Sequence, residues 1–155
     1  MSGDTSTESQ DKSLENILAV CEPGILPLVK SVRELGWETI SSCEGHGICE
    51  SAKVDVLLST RKQADRFRVL GIIPGVFVEV IDSRIFGDLD TFYNLASSYM
   101  TAEDYYVMEI RIGYNISIFK CPALARYQAC YNKFAKPRVV KLIAGLLAKH
   151  VGSFV

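Results

Sequence analysis

Apolar positions along this chain switch between two periods. Ile25, Leu28, Val29, Val32 and Leu35 recur at helical spacing, and Gly36 stands where a residue beyond a helix C-terminus belongs. Proline fits only the first turn of a helix, so this one starts at Pro23 or Pro27. A short strand then begins near Thr39, and Val54, Val56 and Leu58 mark one face of another. Thr60 with Gln63 reads as a capping box. It predicts a helix over about 61–70 with Ala64, Phe67 and Leu70 inward and Gly71 as its stop. Pro74-Gly75 is a turn, and residues 76–81 have strand composition. Asp88 is placed to cap a further helix with Leu89, Phe92, Tyr93, Ala96 and Tyr99 along one face. Residues 105–119 are strand-rich, with a bend or hairpin at Gly113-Tyr114-Asn115 and Ile116 and Ile118 beyond it. Pro122 and Pro137 each sit at an N1 position and open two closing helices. On the second, Val139, Val140, Ile143, Leu146 and Leu147 form the apolar face, with Arg138, Lys141 and Gly145 opposite.

This order of elements predicts an α+β fold: a mixed sheet of about four or five strands packed by helices, with two closing C-terminal helices. The strands near Thr39 and Val54 are too close in sequence for a helical crossover, so they pair as a wide hairpin and argue against a doubly wound sheet. Residues 1–13 are polar and acidic and read as a disordered tail without a signal peptide; residues 14–155 read as a single domain. No apolar run approaches the ~20 residues of a membrane helix, so membrane insertion is not expected. Neither GxGxxG nor GxxxxGK[ST] is present, which removes support for a nucleotide phosphate loop of those kinds.

A hydrophobic fraction of 48% with 23% charged residues is ordinary for a globular chain. Five cysteines, an odd number in a chain large enough to fold without staples, predict reduced thiols and a cytoplasmic location. The charge distribution is less ordinary. The first 109 residues hold all 18 acids and nine of the 17 bases. After Glu109 no acid follows, while Arg111, Lys120, Arg126, Lys133, Lys136, Arg138, Lys141 and Lys149 do. This asymmetry points to a nucleic-acid, phosphate or membrane-surface partner, or else to a basic part packed against an acidic one. Tyr127, Tyr131 and Phe134 interleave with Arg126, Lys133 and Lys136 as on a single-strand nucleic-acid surface, yet they share one helical face, as core residues do. Lys133, Lys136, Arg138 and Lys141 are the candidate RNA contacts.

Candidate chemistry concentrates in residues 39–49, Thr-Ile-Ser-Ser-Cys-Glu-Gly-His-Gly-Ile-Cys. Gly45 and Gly47 flank His46 and allow a tight turn. Cys43, His46 and Cys49 have C-x2-H-x2-C spacing, and thiolate with imidazole suits zinc or iron. A structural site needs a fourth ligand, for which Glu44, Cys21, Cys121, Cys130 and His150 are candidates. Alternatively Cys43 is a nucleophile, His46 its base and Glu44 the orienting group. In a third reading the backbone amides of a glycine nest bind a ligand or cofactor, with Ser41, Ser42, Gly45 and Gly47 as the contact residues. The structural alternative is a tight hairpin that buries and satisfies Cys43 and His46.

The run Gly36-x-x-Thr39-x-Ser41-Ser42-Cys43-Glu44-Gly45-His46 resembles the Ser-Ser-Cys-Ser-Gly-Arg motif of the wybutosine-synthesising tRNA methyltransferase-like family. A similar Ser-Cys-Glu-Gly-His signature occurs in uncharacterised bacterial and phage proteins. The resemblance spans about residues 25–58, and His46 and Glu44 stand where the family has Arg and Ser. It implies S-adenosylmethionine-dependent base modification of RNA, with roles falling on Ser42, Cys43, Gly45 and His46. The sequence therefore predicts an RNA-linked, base-modifying domain with a ligand site at the Cys43–His46 loop. A small metal-dependent or thiol enzyme acting on a small molecule, and a non-enzymatic interaction module, are the competing classes.

Overall fold

A computed structural model describes residues 21–82, 106–116 and 121–155. The predicted tail, the Asp88 cap with its helix face from Leu89 to Tyr99, and Ile118 lie outside the described residues. The first helix, α1, is Leu26–Glu34, with Pro27 in its first turn and Gly36 at φ 94° just past its end. Strands β1 (Glu38–Cys43) and β2 (Ala52–Leu58) follow, then two 3-10 turns, then β3 (Val76–Asp82) and β4 (Tyr106–Ile112). Helix α2 is Pro122–Cys130, α3 is Lys136–Lys149, and a short α4, Val151–Phe154, ends the chain.

The α+β class is as predicted, and β1 and β2 do form an antiparallel hairpin around the cysteine loop. Among the described residues the sheet has four strands in the order β1-β2-β4-β3, and every pairing is antiparallel rather than mixed. The reason is topological. The β2 to β3 connection leaves a gap one strand wide, and β4 fills it antiparallel to both neighbours.

Two local departures from the sequence pattern have simple causes. Residues 61–72 form 3-10 turns, Arg61–Arg66 and Arg68–Ile72, instead of an α-helix. Ala64, Phe67 and Leu70 are spaced by three, the period of a 3-10 helix, and all three are buried. Between α2 and α3 the chain widens into a π turn, Tyr131–Ala135. Pro137 lacks an amide hydrogen and its ring would crowd the carbonyl four residues earlier; a wider turn relieves both. The π turn also resets the helical phase. Tyr131 is buried, with its hydroxyl donating to the Pro74 carbonyl, whereas Tyr127 and Phe134 are 54% and 61% exposed.

The core lies between one sheet face and the helices. Val54, Val56, Leu58, Met108, Ile110 and Ile112 meet Ile25, Leu28, Val29 and Val32 of the α1 segment and Val140, Ile143 and Leu147 of α3. Burying a side chain of this size is worth about 1.5–3 kcal/mol each, which is what holds two otherwise marginal helices on the sheet. Trp37 acts as an anchor at the rim: its indole donates to the Phe154 carbonyl at 2.9 Å, and its ring meets Phe67 edge-on.

Candidate metal and thiol site at the β1–β2 loop

The loop after Cys43 is held from below by residues far away in sequence. The Asn132 amide donates to the Ile48 carbonyl at 2.8 Å and to the Tyr114 carbonyl at 2.7 Å, and its oxygen accepts from the Tyr114 amide at 2.9 Å. Lys136 Nζ donates to the Glu50 carbonyl at 3.0 Å and to the Gly47 carbonyl at 3.4 Å. At the loop's far end, the Asn115 side-chain oxygen accepts from the Ser51 amide and hydroxyl. Gly45 has φ 82°, and a Cβ there would lie 2.7 Å from the Glu50 carbonyl and 2.9 Å from that of Ser51. Glycine is required at this position both by conformation and by space.

Three successive loop amides are taken by acceptors from the protein itself. The Glu44 amide donates to Glu22 Oε1 at 3.2 Å, the Gly45 amide to Cys43 Sγ at 3.4 Å, and the His46 amide to Glu50 Oε2 at 3.1 Å. At residues 44–46 the amides expected to form a nest face the chain's own side chains rather than an external phosphate. The serines are engaged as well. Ser41 Oγ donates to Asp55 Oδ2 at 2.6 Å, and Ser42 Oγ lies 3.6 Å from Cys21 Sγ. Gly47, at φ 70°, presents its carbonyl to Lys136.

The donor atoms of Glu22, Cys43 and His46 lie within 4.8 Å of one another. Cys43 Sγ is 4.0 Å from His46 Nε2. Among the described residues Cys49 belongs to no such group: its side chain is exposed, and its carbonyl accepts from the Ile116 amide. The C-x2-H-x2-C set thus becomes a Glu22–Cys43–His46 set, because the loop carries Cys49 past the cluster while the turn that leads into α1 brings Glu22 to it. Glu44 is not in the cluster either; its carboxylate accepts from the Gly24 amide at 2.6 Å and staples the loop to the start of α1. Of the predicted catalytic residues the fold therefore brings together Cys43 and His46 and adds Glu22. No spacing rule in the sequence singles out Glu22.

Lys136 departs from its expected place among the RNA contacts. It is 7% exposed, beneath the loop. Burial pushes its ammonium below the ordinary lysine value, while Cys43, Glu44 and Glu50 pull it back up. Lys133, Arg138 and Lys141 are exposed. At about 100° per residue, Arg138 and Lys141 fall roughly 160° and 140° around α3 from Lys136, so the basic face looks away from the loop.

A thiol and an imidazole 4.0 Å apart stand at the outer limit of a sulfur hydrogen bond, a long contact for a nucleophile and its base. The spacing suits two ligands of one ion better. Zinc bonds of about 2.3 Å to sulfur and 2.1 Å to nitrogen give a tetrahedral edge of about 3.6 Å. All five cysteines are free thiols. Among the described residues no helix is long and apolar enough to cross a membrane.

The chain matches no family model, no curated protein and no solved structure, so the resemblance at the loop stands on its motif alone.

Proposed function

We propose that this chain is a small metal-dependent enzyme whose ion is held by Glu22, Cys43 and His46. The reading is carried by the convergence of a carboxylate, a thiol and an imidazole from two chain segments to within 4.8 Å. Thiolate and imidazole favour zinc or iron over harder ions. Three protein donors leave a fourth position for water or substrate, as catalytic zinc sites do and closed structural sites do not. Such an ion suits hydrolytic or carbonyl-polarising chemistry on a small molecule. The amides of Glu44 and Gly45 serve as supports that orient Glu22 and Cys43. Free thiols fit a reducing cytoplasm. The test is zinc titration of protein purified without a polyhistidine tag. The parent takes about one equivalent, and Glu22→Gln, Cys43→Ser and His46→Ala each weaken binding at least about tenfold, whereas Cys49→Ser does not. A parent that binds no zinc, or a Cys43→Ser variant that binds as the parent does, contradicts the reading.

A second, RNA-linked reading is favoured by one observation. Tyr127 and Phe134 are exposed, as are Arg126, Lys133, Arg138 and Lys141, and the Lys133 ammonium lies 5.3 Å from the Phe134 ring centre. Bases stacked on such rings with phosphates on such cations would bind with little sequence preference. RNA affinity should fall with salt at a slope of roughly −0.7 per neutralised phosphate. Arg138→Gln with Lys141→Gln should lower that slope by about one to two units. Absence of RNA affinity at low salt removes this reading and leaves the first intact.

A further inference from the structure

The sheet face opposite the helices carries a feature that the loop chemistry does not use. Asp55 of β2 sits directly opposite Glu109 of β4, and Glu109 directly opposite Glu79 of β3. Facing strand residues of this kind have Cβ atoms about 4.5–5.5 Å apart, and like charges there are destabilising. Asp55 is also 6% exposed. Its Oδ2 accepts from Ser41, while Oδ1 is buried and, among the described residues, has no hydrogen-bond donor. An ionised carboxylate oxygen left in that state is costly, whereas a proton carried by the neighbouring carboxyl would satisfy it.

We propose that Asp55 and Glu109 share one proton and form a pH-sensitive latch between β2 and β4, with the Glu109 carboxyl donating to Asp55 Oδ1. The charged groups around the pair agree. On this face β2 contributes Lys53, β4 contributes Arg111, β3 contributes Glu79, and β1 contributes the neutral Ser41 opposite Asp55, Cys43 opposite Lys53, and Glu38, whose charge is met by Arg33 at 3.5 Å. Three carboxyls holding one proton carry two negative charges, matching the two cations; Arg111 reaches Glu79 at 3.7 Å. Among the described residues these acids form no three-donor group that would hold a metal ion. Burial raises both carboxyls above their ordinary values, and for Glu109 the Asp55 charge raises it further.

The direction of the pH effect follows. A carboxyl raised in the folded state contributes stability that is fully present below its unfolded value of about 4 and is lost as pH rises through the folded value. The latch therefore holds in mild acid and weakens with alkalinity. Because Ser41 bonds Asp55, loosening β2 from β4 also loosens the strand that ends at Cys43.

The experiment is thermal melting across pH about 5 to 9 for the parent, Glu109→Gln and Asp55→Asn, with infrared measurement of the protonated carboxyl stretch. Glutamine keeps a donor for Asp55 and removes the ionisable proton. The expected result is that Glu109→Gln melts above the parent at the alkaline end, with the gap closing toward acid, and that either substitution removes a protonated-carboxyl band seen in the parent near neutral pH. If Asp55→Asn fails to fold, the infrared band of Glu109→Gln against the parent still decides. A parent without that band near neutral pH, or a Glu109→Gln melting curve with the parent's pH dependence, overturns the proposal.

Discussion

Cys121 and Cys43 occupy different settings. Cys121 precedes the first turn of α2, fully exposed, and the backbone amides of Leu124 and Ala123 hold its thiol below the ordinary cysteine value. Cys43 is half-buried, accepts from the Gly45 amide and faces His46. Alkylation followed peptide by peptide should label Cys121 quickly with or without zinc, because no ion lies near it. Cys43 should label in metal-free protein and be protected once zinc is bound, since the metal-bound thiolate is no longer available. Equal labelling of Cys43 in both states would count against it as a ligand. The sequence makes Cys43 and His46 conspicuous because they crowd into one short loop. Glu22, twenty-one residues before Cys43, has no such signal; its place depends on the turn that leads into α1 and on the Glu44 amide that its carboxylate accepts from. Asp55 was concealed in another way. It sits in a strand whose only other polar residue is Lys53, and its partner Glu109 becomes evident once the β2–β4 register is known.

The β1–β2 loop has little hydrophobic support and is held by the side chains of Asn132, Asn115 and Lys136 and by its own glycines. Gly45→Ala tests this at the scale of the element. A Cβ at Gly45 meets two carbonyl oxygens and the Lys136 ammonium, and the residue sits at positive φ. The substitution should destabilise the protein by roughly 1–3 kcal/mol and weaken zinc binding, as measured by denaturant unfolding and titration of the same sample. An alanine variant as stable as the parent would show that the loop is not fixed as described. Periodicity was enough to place α1, the β1–β2 hairpin and the two closing helices. It did not separate a 3-10 from an α-helix over residues 61–72, because a three-residue apolar spacing is compatible with both over so short a run. Nor did it foresee the π turn, which puts Asn132 and Lys136 on the loop while exposing Phe134.

Across the whole molecule, the loop and the basic face lie on different sides of α3, so their functions should separate. Arg138→Gln with Lys141→Gln should leave zinc affinity unchanged, and Cys43→Ser should leave any RNA affinity unchanged. Loss of both properties from either variant would mean that the surfaces act as one site. Charge counting found the basic face because the chain after Glu109 has no acid; it could not tell that Lys136, counted in that excess, is committed beneath the loop. In the proposed function Glu22, Cys43 and His46 hold one ion. Cobalt(II) substitution tests it most directly, because cobalt reports ligand type and geometry together. The expected result is one equivalent of cobalt, a sulfur-to-metal charge-transfer band that Cys43→Ser abolishes, and the intense visible absorption of a four-coordinate ion. Weak six-coordinate absorption with no sulfur band, or a spectrum that Cys43→Ser leaves unchanged, would contradict it.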